Sequence, residues 1–324
     1  MAQTDTKDAP QRRVLRAKPF AKADRIFYRT ATVAANSSIV LVSLILIFLG
    51  IRAWPAFQSQ GIGFVFGSTW NTSVEPSVMQ IGPMLWGSIL LSILGVCLAV
   101  PMAISIAYFI VFMASKKLGS AVSVLVDLLA ALPSIVLGLW GLLVFSPVAA
   151  DWAKMLHDAL GFIPLFQNTG DNFLRSPFIA SWVVAVMIVP IIASITREIF
   201  SQLDRELISA SLALGAGRWS TLRRVILPTA AGGIVGGVLL GLGRALGETV
   251  AIYFVLNLVF DINIFNILEP KGGSVASMIM SKFGEAGPDE VAGLMAAGVV
   301  LFLVTLFVNM LASFIVAKAQ PWRK

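Results

Sequence analysis

Six stretches of this chain are each long and apolar enough to cross a bilayer, which takes roughly 20 mainly apolar residues for about 30 Å of hydrocarbon. Hydropathy predicts spans at about Thr32–Ile51, Pro83–Phe112, Val122–Phe145, Phe178–Ile195, Gly232–Phe260 and Val291–Ala317. None alternates with period two, which disfavours a β-barrel. A helix satisfies its own backbone hydrogen bonds, and lipid offers no substitute partner. The expected fold class is an all-α integral membrane protein with six transmembrane helices. Composition agrees. Hydrophobic residues make up 57% of the chain, charged residues 13%, and the mean hydropathy is +0.87. An average soluble domain is about 25% charged. A disordered chain, a disulfide-rich secreted fold and a nucleic-acid-binding domain are all disfavoured, and Cys97, the single cysteine, can form no intrachain bridge.

The net charge of +7 is distributed by loop. Lys7, Arg12, Arg13, Arg16, Lys18, Lys22, Arg25 and Arg29 precede the first span. Lys116 and Lys117 lie between spans two and three, and Arg197, Arg205, Arg218, Arg223 and Arg224 between four and five. Lys318, Arg323 and Lys324 follow the last span. Only Arg52, Lys154, Arg175, Lys271 and Lys282 fall in the alternate loops. Cytoplasmic loops carry the excess of Lys and Arg, so both termini are expected in the cytoplasm. The chain divides into a basic N-terminal segment at 1–31, a six-span domain at 32–317 with a long inner loop at 197–231, and a tail at 318–324. The basic leader and the length of the first apolar stretch read as an uncleaved anchor rather than a signal peptide.

The outer loop 53–82 carries Trp54, Phe57, Phe64, Phe66 and Trp70, expected at head-group level. In the next outer loop the lone His157 has no companion at metal-ligand spacing. After Gly272-Gly273, the run Val275–Phe283 predicts a short interfacial helix. The inner loop 197–231 has helical periodicity through Leu203, Leu207, Ala210 and Leu214, a bend bracketed by Gly215 and Gly217, and Pro228 at a helix start. It reads as helix, turn and short helix at the membrane surface, a form suited to docking a partner.

No G-x-x-x-x-G-K-[ST] phosphate loop is present, so the chain is not expected to be an enzyme that hydrolyses ATP. Gly232/Gly236, Gly233/Gly237 and Gly237/Gly241 form small-xxx-small pairs that permit close helix packing. Charge inside the spans is the unusual feature. Counted from Gly232, Arg244 falls about 18 Å along a helix at 1.5 Å per residue. Glu248 follows four residues later, on the same face if the helix continues. Ionisable groups at that depth cost at least about 2.5–3.5 kcal/mol each on insertion scales. A guanidinium presents forked donors that match phosphate oxygens and does not deprotonate. A neighbouring carboxylate can hold the fork while the anion is absent. Asp127, in the expected third span, has no partner nearby in sequence, and Arg244 or a second subunit could supply one. Arg197 and Glu198 sit at the inner end of the fourth span. On these grounds alone the chain reads as a gated route for an oxyanion.

Specific motifs then carry a resemblance. Ser209-Ala-Ser-Leu-Ala-Leu-Gly215, nine residues, and Val225-Ile-Leu-Pro228 resemble the cytoplasmic signature of ABC-importer permeases, with Ser209 in place of the motif's glutamate and departures at Ser211 and Val225. Gly241-Leu-Gly-Arg-Ala-Leu-Gly-Glu-Thr-Val-Ala251 is similar to the signature of phosphate-importer permeases of the PstC type. Asp127–Gly141 and Ile195-Thr-Arg-Glu-Ile-Phe200 are similar to further motifs of that family. The resemblance covers about residues 30–318 and implies a type I ABC importer permease in the bacterial plasma membrane. It implies a second permease subunit (PstA-like), an ATPase dimer (PstB-like) that binds ATP-Mg, and a periplasmic or lipid-anchored phosphate-binding protein (PstS-like). This chain itself would bind no cofactor. Arg244, Glu248, Thr249 and Asp127 would line the substrate pathway, with Arg197 and Glu198 as a further pathway or gate. Ser209, Ala210, Gly215, Ala216, Gly217, Trp219, Leu222 and Pro228 would couple to the ATPase. The alternatives are an ABC permease for phosphonate, sulfate or molybdate, a secondary anion transporter, and a non-transporting scaffold.

Overall fold

A computed structural model describes residues 22–263 and 265–319. The chain divides into two compact units, residues 1–48 and 49–324. In the first unit the described residues are helical and belong to Lys22–Gln60, a helix that runs on into the second unit. The basic residues expected before position 22, and Arg323 and Lys324 in the tail, lie outside the described residues.

Among the described residues, six helices are long and apolar enough to cross a membrane: Asp24–Gln60, Gly82–Met113, Ser134–Leu160, Pro177–Ser201, Arg218–Leu246 and Pro288–Phe314. The number matches the expectation, but the boundaries of the third and fifth do not. The expected third span, Val122–Phe145, is broken in the structure. A separate helix, Lys116–Ala130, ends at Ala131, and a new helix starts after Pro133. Proline lacks an N–H donor and disfavours helix in the residue before it, so Leu132-Pro133 stops the first helix. The third span therefore runs from Ser134 to Leu160, through residues expected to be loop, and Asp127 lies on the helix before it.

The fourth span is the hub of the second unit. About 67% of its most apolar window is buried, against 28% for each of the second, third, fifth and sixth. Val183, Val184, Ile188 and Ile192 fill the largest core cluster, with Leu91, Ala99 and Ala103 of the second span. The second span meets it through small residues. A Cβ at Gly95 would stand 2.9 Å from Val184 Cγ1, so a larger residue would push the two helices apart. The fifth span meets the fourth in the same way. A Cβ at Gly233 would collide with Ile199, one at Gly237 would sit 3.3 Å from Ile195, and one at Gly241 3.0 Å from Ile192. Gly236 faces open space. The expected close packing is present along the 233/237/241 row.

The two ends of the bundle differ. At one end, Gly63–Phe66 forms a helical turn and Trp70–Asn71 pairs antiparallel with Val78–Met79. Phe64 is fully buried and Trp70 Nε1 donates to Glu290 Oε1 at 2.8 Å, so these two aromatics hold a folded cap. Trp54 and Phe66 are exposed, whereas Phe64 and Trp70, expected at head-group level with them, are packed into this cap. The expected short helix is present as Val275–Lys282, with Ser274 and Ser277 forming a capping box at its start. At the other end the chain turns from Ser201 through the helix Arg205–Ala213 into Arg218.

Candidate functional site: charged groups at the helix breaks

The fifth span begins at Arg218, not Gly232, and ends at Leu246. The expected helix through Phe260 is interrupted at Gly247–Thr249, and a short helix resumes at Val250–Val255. This corrects two expectations. The depth of Arg244 counted from Gly232 does not apply, because Arg244 lies in the last turn of a helix that starts at Arg218, fourteen residues before Gly232. Arg244 and Glu248 are not stacked on one helical face, because the helix ends between them. No ion pair joins them among the described residues.

The interruption gives each residue a different setting. Arg244 is exposed on the surface of the chain, at a helix C-terminus where unpaired carbonyls favour a cation. Glu248 is only 6% exposed, and its Oε1 accepts from the Ala251 amide at 3.2 Å. That carboxylate caps the N-terminal turn of Val250–Val255, where amide N–H groups lack helical partners. Thr249 Oγ1 donates to Gly247 O at 3.1 Å, which holds the break itself. The break lies inside the protein core, since Ala245 before it and Ala251, Ile252, Val255 and Leu256 after it share one buried cluster. A Cβ at Gly138 would stand 2.9 Å from Ala251 Cα, so the absence of a side chain there lets the 127–141 motif pack closely on the short helix.

Asp127 has a partner after all. Its Oδ1 accepts from Ser194 Oγ at 3.2 Å and Arg197 Nη2 at 3.5 Å. Neither Arg244 nor a second subunit is needed to neutralise it. The side chains of Arg197 and Asp127 are 25% and 55% exposed, so the pair is partly solvated. Glu198 accepts from Gln202 Nε2 at 2.7 Å. The structure thus groups the charged candidates in two places, Arg244–Thr249 at the break and Asp127–Arg197 between two helices. Asn309 was passed over in the sequence. Its Oδ1 is buried without a partner, and its Nδ2 lies 3.8 Å from the position of a Cβ on Gly243. A lone amide in an apolar span was its signal.

The 197–231 loop has the expected helix, turn and helix, except that the second helix is the start of the fifth span. Asp204 caps Arg205–Ala213 by accepting from the Glu206 amide at 2.8 Å. Gly215 has φ +81, a left-handed conformation that L side chains disfavour. Ser211 Oγ and Thr221 Oγ1, 3.1 Å apart, join the two arms. Ser209, Ala210, Gly217 and Trp219 are exposed, Ala216 and Pro228 half-buried, and Leu222 buried in a cluster with Phe200 and Ile226. Leu214 at 89% and Trp219 at 71% exposure give this end an apolar tip.

At the opposite end His157 Nδ1 bonds Phe166 O at 3.0 Å, a structural tie between a helix and its following loop. Glu269, 4% exposed, accepts from Thr169 Oγ1 at 2.9 Å and meets Lys271 Nζ at 3.4 Å. Burial raises its carboxyl pKa, but hydrogen bonds from Thr169 and Asn266 and the Lys271 charge more than offset this, and the net shift is downward.

Residues 95–321 match the family described as binding-protein-dependent transport system inner membrane component. The phosphate transport system permease protein PstC of Haemophilus influenzae is 36% identical over 300 residues, covering 92% of this chain and 94% of that one. PstC 2 of Mycobacterium tuberculosis is 35% identical over 296 residues, covering 90% and 91%. Among solved structures, a chain of a bacterial alginate ABC transporter in complex with a pentasaccharide-bound periplasmic protein superposes with TM-score 0.59 at 15% identity, covering 93% of this chain and 96% of that one. A chain of the inward-facing MetNI methionine ABC transporter gives 0.51 at 17% identity over 72% and 94%. The fold is thus that of type I ABC importer permeases, and six apolar helices place the chain in the bacterial inner membrane as a multi-pass protein. By a match across most of its length and by relatives above 30% identity, the chain belongs to the family of binding-protein-dependent transport system inner membrane components.

Proposed function

We propose that this chain is a membrane-spanning permease subunit of an ATP-driven phosphate importer and forms half of the phosphate pathway. Near full-length similarity to PstC phosphate transport permeases carries this reading. The geometry adds a reason. Arg244 is exposed on the chain surface with no carboxylate paired to it among the described residues, at a helix break whose own acid, Glu248, is occupied in capping. A guanidinium so placed keeps its forked donors free for an oxyanion. An exposed face of this kind suits a pathway completed by a second permease subunit (PstA-like). Thr249 would line the same route, and Asp127 with Arg197 and Glu198 would form a gate nearer the Gly215 end.

In this reading the Gly215 end and both termini are cytoplasmic. An ATPase dimer (PstB-like) grips the tip formed by Leu214, Gly215 and Trp219, and hydrolyses ATP-Mg that this chain does not bind. A phosphate-binding protein (PstS-like) docks at the Trp70 end. The test is labelled phosphate uptake by the reconstituted complex. Arg244→Ala is expected to abolish uptake while assembly persists, and normal uptake by that variant would overturn the pathway.

A further inference from the structure

Beside the short helix that follows the Gly247–Thr249 break lies a cavity of about 430 Å³ lined by Leu142, Phe254, Tyr253, Asn257 and Arg175, among others. A water molecule occupies about 30 Å³, so there is room for a small hydrated anion. Tyr253 N bonds Thr249 O at 3.0 Å, which puts the cavity wall one helical turn from the break. The rest of the lining is neutral, and Arg175 supplies its one charge.

Arg175 has two unusual properties. Its φ is +53, the one left-handed non-glycine residue among the described residues. Glycine or asparagine would make that turn at less cost, and strained backbone of this kind concentrates at functional sites. Its ionic setting is the second. At the same end Lys271 pairs with Asp261 and Glu269, and Lys282 pairs with Glu290. Arg175 meets no carboxylate within 4.0 Å among the described residues. Its Nη1 donates instead to Asn257 Oδ1 at 3.4 Å. Asn257 Nδ2 donates to Pro270 O at 3.3 Å, which fixes the amide with its oxygen toward Arg175. A neutral acceptor thus orients the guanidinium without cancelling its charge, and most of its five N–H donors stay unused.

We propose that Arg175 is a second oxyanion station, which receives phosphate at the mouth of the pathway before it reaches Arg244. The inference rests on the proposed function and extends it. Arg175 is exposed where it lines the cavity, so its guanidinium is open to an arriving anion.

The test uses the reconstituted importer with saturating phosphate-loaded binding protein, read by labelled phosphate uptake and by ATP hydrolysis. Arg175→Asn removes the charge and keeps a residue that tolerates a left-handed backbone. It is expected to lower uptake about tenfold while ATP hydrolysis stimulated by the binding protein is retained. Arg175→Lys is expected to restore most of the uptake. Unchanged uptake in Arg175→Asn overturns the station. So does a parallel fall in uptake and ATP hydrolysis, which would assign Arg175 to docking or folding. Arg244→Ala separates the two levels. Inactive Arg244→Ala with normal Arg175→Asn defeats this inference alone, whereas wild-type complex that takes up no phosphate defeats both.

Discussion

Arg244 and Glu248 are four residues apart but share no helix: Arg244 sits in the last turn of one that closes at Leu246, and Glu248 in the break before one that opens at Val250. Their roles therefore separate. Arg244 is exposed, so Arg244→Ala is expected to change stability by less than about 0.5 kcal/mol. The same variant should lower uptake at least about thirtyfold, since a charged partner of the anion is lost. Glu248→Ala should destabilise as well, by about 1 kcal/mol for the lost cap. Glu248→Gln keeps an acceptor for the Ala251 amide and should retain that stability. Thermal unfolding beside uptake distinguishes the three variants.

The Asp127–Arg197 pair is partly solvated, and pairs of that kind contribute little to stability. Asp127→Asn and Arg197→Gln are each expected to move the unfolding midpoint by an amount equivalent to less than about 1 kcal/mol. If the pair gates the pathway, each single variant changes the uptake rate, and the double variant falls short of the sum. A double-mutant cycle on uptake measures that coupling.

The glycine row of the fifth span offers an internal control. Gly233→Ala should destabilise by about 1–3 kcal/mol, because the added Cβ meets Ile199. Gly236→Ala meets nothing and should be neutral or stabilising by up to about 1 kcal/mol. Equal effects at the two positions, measured by thermal unfolding in detergent, would contradict the packing described.

At the Gly215 turn, alanine must adopt φ near +81, which costs about 1–2 kcal/mol. Gly215→Ala is therefore expected to loosen the loop, and Leu214→Ser with Trp219→Ser to remove the exposed tip. Both should reduce copurification of the ATPase while the chain still inserts. Full ATPase recovery with the tip removed would place the docking surface elsewhere.

Glu269 makes a prediction about pH. Its folded pKa is lowered, so its contribution to stability is present above the ordinary carboxylate pKa and is lost as pH falls through the lowered value. Protection of the Thr169 amide against hydrogen exchange should be flat from about pH 8 to 5 and should fall in stronger acid. Glu269→Gln should abolish that acid-side change.

What the sequence made legible follows from the range over which each signal acts. Hydropathy yields six spans, because apolar length is a local property. The helix at Val275–Lys282, the Gly215 turn and the Gly233/Gly237/Gly241 row were legible for the same reason. The third and fifth spans were misplaced, because an average over a long window dilutes a single Pro133 or a three-residue break at Gly247–Thr249. The partner of Asp127 was hidden, since Arg197 lies seventy residues away on another helix. The cap held by Trp70 and Glu290, 220 residues apart, was hidden likewise. The charged motif at 241–251 implied the wrong geometry, because i,i+4 spacing implies a shared face only while the helix lasts.

The unbroken run from Arg218 to Leu246 has a mechanical meaning. It is about 40 Å of continuous helix at 1.5 Å per residue. One end begins at the turn that bears Trp219, and the other carries Arg244. Bolted to the fourth span along its glycine row, it works as a push-rod. In the proposed importer, a small displacement of the tip would be delivered along this helix to the exposed positive charge of Arg244 at its far end.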